Sequence, residues 1–165
     1  MNTHKQQLQM NKEDEAENIV NQYADALFRL CFTILRNHMD AEDAVSDTLM
    51  KYLTKAPVFL EEEHRKSWLI RVASNVCKDI LRANRYREHL DLNEISLYAP
   101  DQSDSDILVD VFRLPEKYRT IIYLYYIEGY SSKEIADILS ISPTAVRKRL
   151  QHGRKRLKLE YERED

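Results

Sequence analysis

Apolar positions recur at helical spacing in several stretches of this chain, with polar or turn-forming residues between them. Residues 1–18 are polar and charged with little periodic apolar content, which predicts a frayed tail running into a first helix. Over residues 19–37 the set Ile19, Val20, Tyr23, Leu27, Leu30, Cys31, Ile34 and Leu35 defines that helix. Asp40, with Asp43 three residues on, predicts an N-cap for a helix over 41–53, with Ala44, Val45, Thr48, Leu49 and Tyr52 facing inward. Ala56-Pro57-Val58-Phe59-Leu60 and the glutamates at 61–63 break the pattern as a loop. A helix over 64–86 then turns Leu69, Val72, Ala73, Val76 and Ile80 inward. Residues 90–105 lack helical periodicity, and a linker of that length is uncommon inside one compact domain. Residues 106–112 begin the next helix, Leu114-Pro115 introduces one over 116–127, and Gly129 stops it.

The stretch that follows carries the strongest local signal. Ser131 or Ser132 caps a short helix with Ile135, Ala136 and Leu139 on its apolar face. Ser142 caps a second, with Pro143 at its first position, where the missing N–H costs nothing. Val146, Leu150 and Leu157 make its inward stripe, with Gly153 filling the remaining place. Thr144, Arg147, Lys148, Gln151 and Lys155 lie opposite, and residues 142–159 hold seven basic residues and no acidic one. A capped helix with an apolar back and a basic, hydrogen-bonding front suits entry into a DNA major groove, so this is a helix-turn-helix candidate. Ser131, Ser132 and Lys133 stand where the preceding helix N-terminus would meet phosphate.

Two glycines and four prolines among 165 residues, with abundant Leu, Glu, Lys and Arg, point to an all-α protein. The net charge of −3 conceals two basic blocks. Residues 64–87 hold seven Lys and Arg against one acid, and residues 113–165 hold twelve against eight. Between them, residues 88–112 hold seven acids and no Lys or Arg. Such a chain binds a polyanion locally while its other faces meet basic partners. In the first block Arg71, Asn75, Lys78 and Arg82 form a row opposite the apolar stripe, with Trp68 and Asp79 beside it. The row is open to two readings, a solvated helix face or a surface that meets bases, with Trp68 either packed inward or stacked on an unpaired base. The acids Glu42, Asp43 and Asp47 likewise either complement a helix dipole or dock a basic partner. Cys31 and Cys77 fit no metal spacing and read as buried thiols, so neither a metal nor a disulfide framework is expected. No apolar run spans a bilayer and no signal peptide opens the chain, which predicts a soluble, cytoplasmic protein. Five scattered histidines and the lack of a glycine-rich phosphate loop argue against an enzyme, and no cofactor is expected.

Two separated elements now carry a resemblance. The order is D-A-E-D-A-V-S-D, then S-W-L-I-R-V-A-S-N-V-C-K-D-I-L-R, an acidic segment, L-P-E-K-Y-R-T-I-I-Y-L-Y-Y-I-E-G-Y-S-S-K-E-I-A and the basic helix. Over about residues 20–158 the chain closely resembles the extracytoplasmic-function sigma factors, the smallest members of the bacterial RNA polymerase sigma-factor family. The resemblance implies a promoter-specificity factor with core RNA polymerase and promoter DNA as partners. It also implies two small helical domains, an N-terminal bundle over 19–89 and a C-terminal helix-turn-helix bundle over 106–165, joined by the acidic linker. Asp40, Glu42, Asp43 and Asp47 match the polymerase-docking segment. Asn75, Lys78, Asp79 and Arg82 match the helix that meets the minus-ten element, with Trp68 and Arg71 at its near end. The loop over 56–66 would capture a base flipped from the duplex, and the basic helix would hold the minus-thirty-five element. With no zinc-binding or sensory extension in view, regulation is expected from a separate protein, an anti-sigma factor being one candidate. Ser140 in the turn and Gly153 in the basic helix depart from the family pattern, and Gly153 suggests a bend. The glutamates at 61–63 are an unexpectedly acidic neighbour for DNA.

Overall fold

The computed structural model describes residues 2–84 and 109–164. The expected linker over 90–105, the helix start at 106–108 and the end of the third helix at 85–86 lie outside those residues. The described residues are built from helices. The first, α1 (Asn2–Leu35), is continuous, so the expected tail over 1–18 is helical from Asn2 onward. No Gly or Pro interrupts it, and residues from Ile19 on are packed, so the polar part elongates an existing helix instead of nucleating one.

Arg36 then takes a left-handed backbone (φ 54°), and the next helix, α2 (His38–Lys55), is capped by Asn37. The Asn37 side chain accepts from the Asp40 amide at 2.9 Å. Asp40 is therefore not the cap but sits in the first turn, because the reversal at Arg36 starts the helix three residues early. The loop leads to α3 (Glu62–Ala83), which also begins before the expected position. Glu62 explains that start: it accepts from Tyr23 Oη, from Gln22 Nε2 at 3.0 Å and from Arg65 at 2.5 Å, fastening the first turn of α3 to α1. This contact gives one of the three unexplained glutamates a structural role.

A helical turn over 109–113 precedes α4 (Glu116–Ile122). The expected single helix over 116–127 is instead α4 followed by a π-helical turn (Tyr123–Ile127), closed by the Glu128 amide on the Tyr123 carbonyl at 3.2 Å. The wider turn keeps Tyr123 and Leu124 buried and leaves Tyr126 and Ile127 exposed. Gly129 (φ 75°) ends it. The helix α5 (Ser132–Leu139) starts with a capping box, Ser131 Oγ accepting from the Glu134 amide and Glu134 accepting from the Ser131 amide. Ser140 adopts the left-handed conformation (φ 55°, ψ 44°) at a cost of about 1–2 kcal/mol. Ser142 Oγ then accepts from the Ala145 amide at 3.1 Å and opens α6 (Pro143–Glu164).

Gly153 lies within the unbroken helix α6. It is buried, and a Cβ there would lie 3.0 Å from Ile122 Cγ1 and 3.1 Å from Cδ1, so glycine permits α6 to lie close against α4.

The buried side chains of the two helical units form one continuous cluster. Phe32 on α1 meets Phe112, with ring centroids 5.4 Å apart. Arg119 on α4, 2% exposed, donates through Nε to the Thr33 carbonyl and through NH2 to the Ile34 carbonyl at 2.6 Å. These are orphan acceptors in the last turn of α1, where the helix dipole is negative. NH1 of the same guanidinium donates to the Leu114 carbonyl at 2.6 Å. Burial, with Arg36 nearby, pushes this guanidinium down to about 10. Arg36 reciprocates by donating to the Phe112 carbonyl at 3.0 Å. The two units are held face to face by cations on carbonyls.

Candidate nucleic-acid interface

The α5–turn–α6 unit presents the front expected of it. Ile135, Ala136, Ile138, Leu139, Val146 and Leu150 are buried, while Thr144, Arg147, Lys148, Gln151 and Lys155 are all exposed. Amphipathic spacing alone separates these faces, with the left-handed Ser140 setting the angle between the helices. Ser131 is engaged in the capping box, with its own amide already bonded to Glu134, while Ser132 is half-buried and Lys133 exposed. One exposed basic residue beside this front was not singled out from the sequence. Arg154 lies 5.5 Å from the centroids of both Tyr125 and Tyr126 and donates to Tyr126 Oη. Its position seven residues after Arg147 was legible, but its aromatic partners come from the π-helical turn.

On α3, Asn75, Asp79 and Arg82 are exposed and Lys78 half-buried. Arg82 pairs with Asp79 at 3.6 Å, but both side chains are more than two-thirds exposed, so the pair contributes at most a few tenths of a kcal/mol and holds neither back. Arg71 is placed differently from the rest of its row. Its NH2 donates to the Asp137 carbonyl of α5 at 2.7 Å, so in this arrangement it joins the two units. Lys66, one turn before, pairs with Glu128 at 3.6 Å and lies over the Tyr130 ring. Trp68 is half-buried in an aromatic trio, edge-on to Tyr52 at 5.9 Å and to Phe59 at 6.0 Å. It supports the loop from behind. The loop tip alternates: Phe59 packs back onto that trio, while its neighbours Val58 and Leu60 are 93% and 97% exposed.

The acidic face of α2 is exposed at Glu42, Asp43 and Asp47, with Asp40 half-buried. Asp43 and Asp47 lie beyond the first turn, where dipole complementation fades. Met39 and Met50, 73% and 60% exposed, fall on the same stripe at i, i+4, i+8, i+11 with the two aspartates. Exposed methionines are enriched at protein-docking surfaces, and carboxylates beside them add charge complementarity to a basic partner. Among the described residues no group of His, Cys, Asp or Glu is placed to hold a metal ion. No described helix is long and apolar enough to cross a membrane. Cys31 and Cys77 are buried, and the hydrogen bond between them, with burial, pushes the Cys77 thiol far up. That proximity of two residues on α1 and α3 was invisible in sequence.

Two family models match this chain in chain order: sigma-70 region 2 over residues 19–87 and sigma-70 region 4 over residues 113–157, together most of its length. The chain belongs to the extracytoplasmic-function sigma factors. This sigma factor is 28% identical to the ECF RNA polymerase sigma factor SigW of Bacillus subtilis, over 92% of this chain and 91% of that protein. It is 26% identical to RNA polymerase sigma factor SigV of the same organism, over 88% of this chain and 90% of that one. Its fold matches that of the sigma factor RpoE of Bartonella quintana, solved with the anti-sigma factor NepR, with a TM-score of 0.69, 22% identity and coverage of 86% and 93%. The sigma factor thus binds core RNA polymerase and directs promoter-specific initiation.

Proposed function

We propose that the two units of this sigma factor divide promoter recognition between them, residues 19–89 serving polymerase and the minus-ten element and residues 106–165 the minus-thirty-five element, across a linker at 90–105. The observation that supports this division is two exposed basic faces, one on α3 and one on α6, each within its own sigma region. In this reading the α2 stripe of Asp43, Asp47, Met39 and Met50, flanked by Asp40 and Glu42, docks on polymerase. Asn75, Lys78, Asp79 and Arg82, with the loop over 56–66, hold the opened minus-ten strand. Arg71 joins them when its bond to Asp137 breaks, and Trp68 backs the loop. On α6, Arg147 and Lys148 contribute phosphate attraction and base contacts, Thr144 and Gln151 add hydrogen bonds, and Lys155 and Lys133 meet the backbone.

The protein catalyses no reaction of its own in this reading; strand opening is driven by binding energy. The relative RpoE was solved with an anti-sigma factor, and a comparable partner is proposed to hold this chain in reserve. Adding the protein to core polymerase and mapping RNA 5′ ends tests the function, a defined start site being expected. Arg147→Ala weakens promoter binding by about 1–3 kcal/mol if it reads a base. Unchanged affinity and sequence preference in a fluorescence titration would remove Arg147 from the interface.

A further inference from the structure

A groove of about 1000 Å3 runs between the N-terminal part of α1 and the α2–α3 loop. One wall is a single face of α1, with Lys5, Leu8, Gln9 and Lys12 at i, i+3, i+4 and i+7. The facing wall is Tyr52 with the loop residues Pro57, Val58 and Phe59. The α1 residues precede residue 19, where the region 2 match begins, and in sequence they carry no chemistry beyond a charged tail. We infer that this groove holds an unpaired stretch of promoter DNA, continuing the strand that the α2–α3 loop engages, with Lys5 and Lys12 as its phosphate contacts. The inference rests on the proposed role of that loop and extends it to the far wall.

Three features carry it. The groove is continuous with the loop tip, so a strand leaving Val58 enters it directly. Its chemistry is that of a single-strand site, with apolar and aromatic surface for base faces and ammonium groups for the backbone. Lys5 and Lys12, both exposed, lie two turns apart on one side of α1, about 10 Å along its axis. Leu8 is 51% exposed and Val58 93%, apolar area that a base would cover from both sides. Gln9 offers an amide to a base edge. Glu13 and Glu15 also line the groove and would repel phosphate, which leaves the Lys5–Lys12 edge as the backbone track and the acids as acceptors for base amino groups. The volume is at the upper end for small-ligand sites, enough for a few nucleotides and too small for a duplex.

The experiment uses the full chain assembled with core polymerase and a fluorescein-labelled single-stranded oligonucleotide of the non-template minus-ten sequence. Lys5→Glu with Lys12→Glu, both on exposed helix surface, is expected to weaken oligonucleotide binding about tenfold or more. The milder Lys5→Gln with Lys12→Gln is expected to reduce the slope of log affinity against log salt by about 1.4, two single-strand phosphate contacts. Co-elution with core polymerase is expected to stay unchanged. Unchanged oligonucleotide affinity and salt slope, with normal promoter-directed transcription, would overturn the inference while leaving the function intact. Lost co-elution with core polymerase would overturn it in favour of a polymerase-docking groove. Failure of the wild-type protein to direct transcription would overturn the reading on which it rests.

Discussion

Arg119 offers the sharpest test of how the two units are held together. Replacing it with methionine keeps most of the length and apolar area but removes the donors to the Thr33 and Ile34 carbonyls. Hydrogen bonds from a charged group contribute about 1.5–3 kcal/mol each net of desolvation, so the two that cross to α1 amount to roughly 3–6 kcal/mol. No carboxylate is bonded to this guanidinium among the described residues, so the loss leaves carbonyls without donors and not an unpaired buried charge. Water can reach those carbonyls once the units part, so the cost is capped at the free energy of the interface. Arg119→Met is therefore expected to open the units while each stays folded. Small-angle scattering should show a larger radius of gyration with unchanged far-ultraviolet circular dichroism. Opening also frees Arg71 from Asp137, so binding of a minus-ten single strand should strengthen. A variant with the wild-type scattering profile and the wild-type urea midpoint would refute the argument, because it would mean that the carbonyls on α1 do not depend on Arg119.

Two further outcomes follow from packing and ionisation. Gly153→Ala gains about 1 kcal/mol of helix propensity but forces a methyl within 3.0 Å of the buried Ile122, where overpacking costs about 1–3 kcal/mol. The net loss, about 1 kcal/mol, is read as a lower urea midpoint, and a raised midpoint would show that α4 and α6 separate freely. Burial and Glu128 push the phenols of Tyr123 and Tyr130 above their ordinary range. A folded-state pKa above the unfolded value means that the folded state holds its proton longer, so their contribution is complete below about pH 10 and declines as pH rises further. Thermal melts between pH 8 and pH 11 should show this decline, and Tyr123→Phe with Tyr130→Phe should flatten it.

Much of the local structure was legible where the deciding interaction spans four residues or fewer. The Ser131–Glu134 box, the Ser142 cap, the stop at Gly129 and the division of α6 into apolar and basic faces each depend on close neighbours in sequence, and the family order of the two regions adds to them. The misreadings have separate causes. The α2 start moved because Arg36 reversed the chain, and the helix over 116–127 widened where Tyr123 and Glu128 close a five-residue turn. The tail over 1–18 became helix because a packed helix downstream had already met the cost of nucleation.

The groups whose placement required the fold are those with partners far along the chain. Arg71 read as a DNA contact, but its present acceptor is 66 residues away on α5. Trp68 could have stacked outward or packed inward, and only the positions of Tyr52 and Phe59 distinguish the two. Glu62, the Cys31–Cys77 contact and Gly153 against Ile122 are likewise pairs between helices. In this protein the sequence by itself determined which residues face inward, where the helix-turn-helix lies and what charge its front carries, because helical periodicity and capping act over short spans. Tertiary structure alone decided which basic residues are exposed and which bind carbonyls between the units, because that depends on how α1, α3, α4 and α5 pack across more than sixty residues of chain.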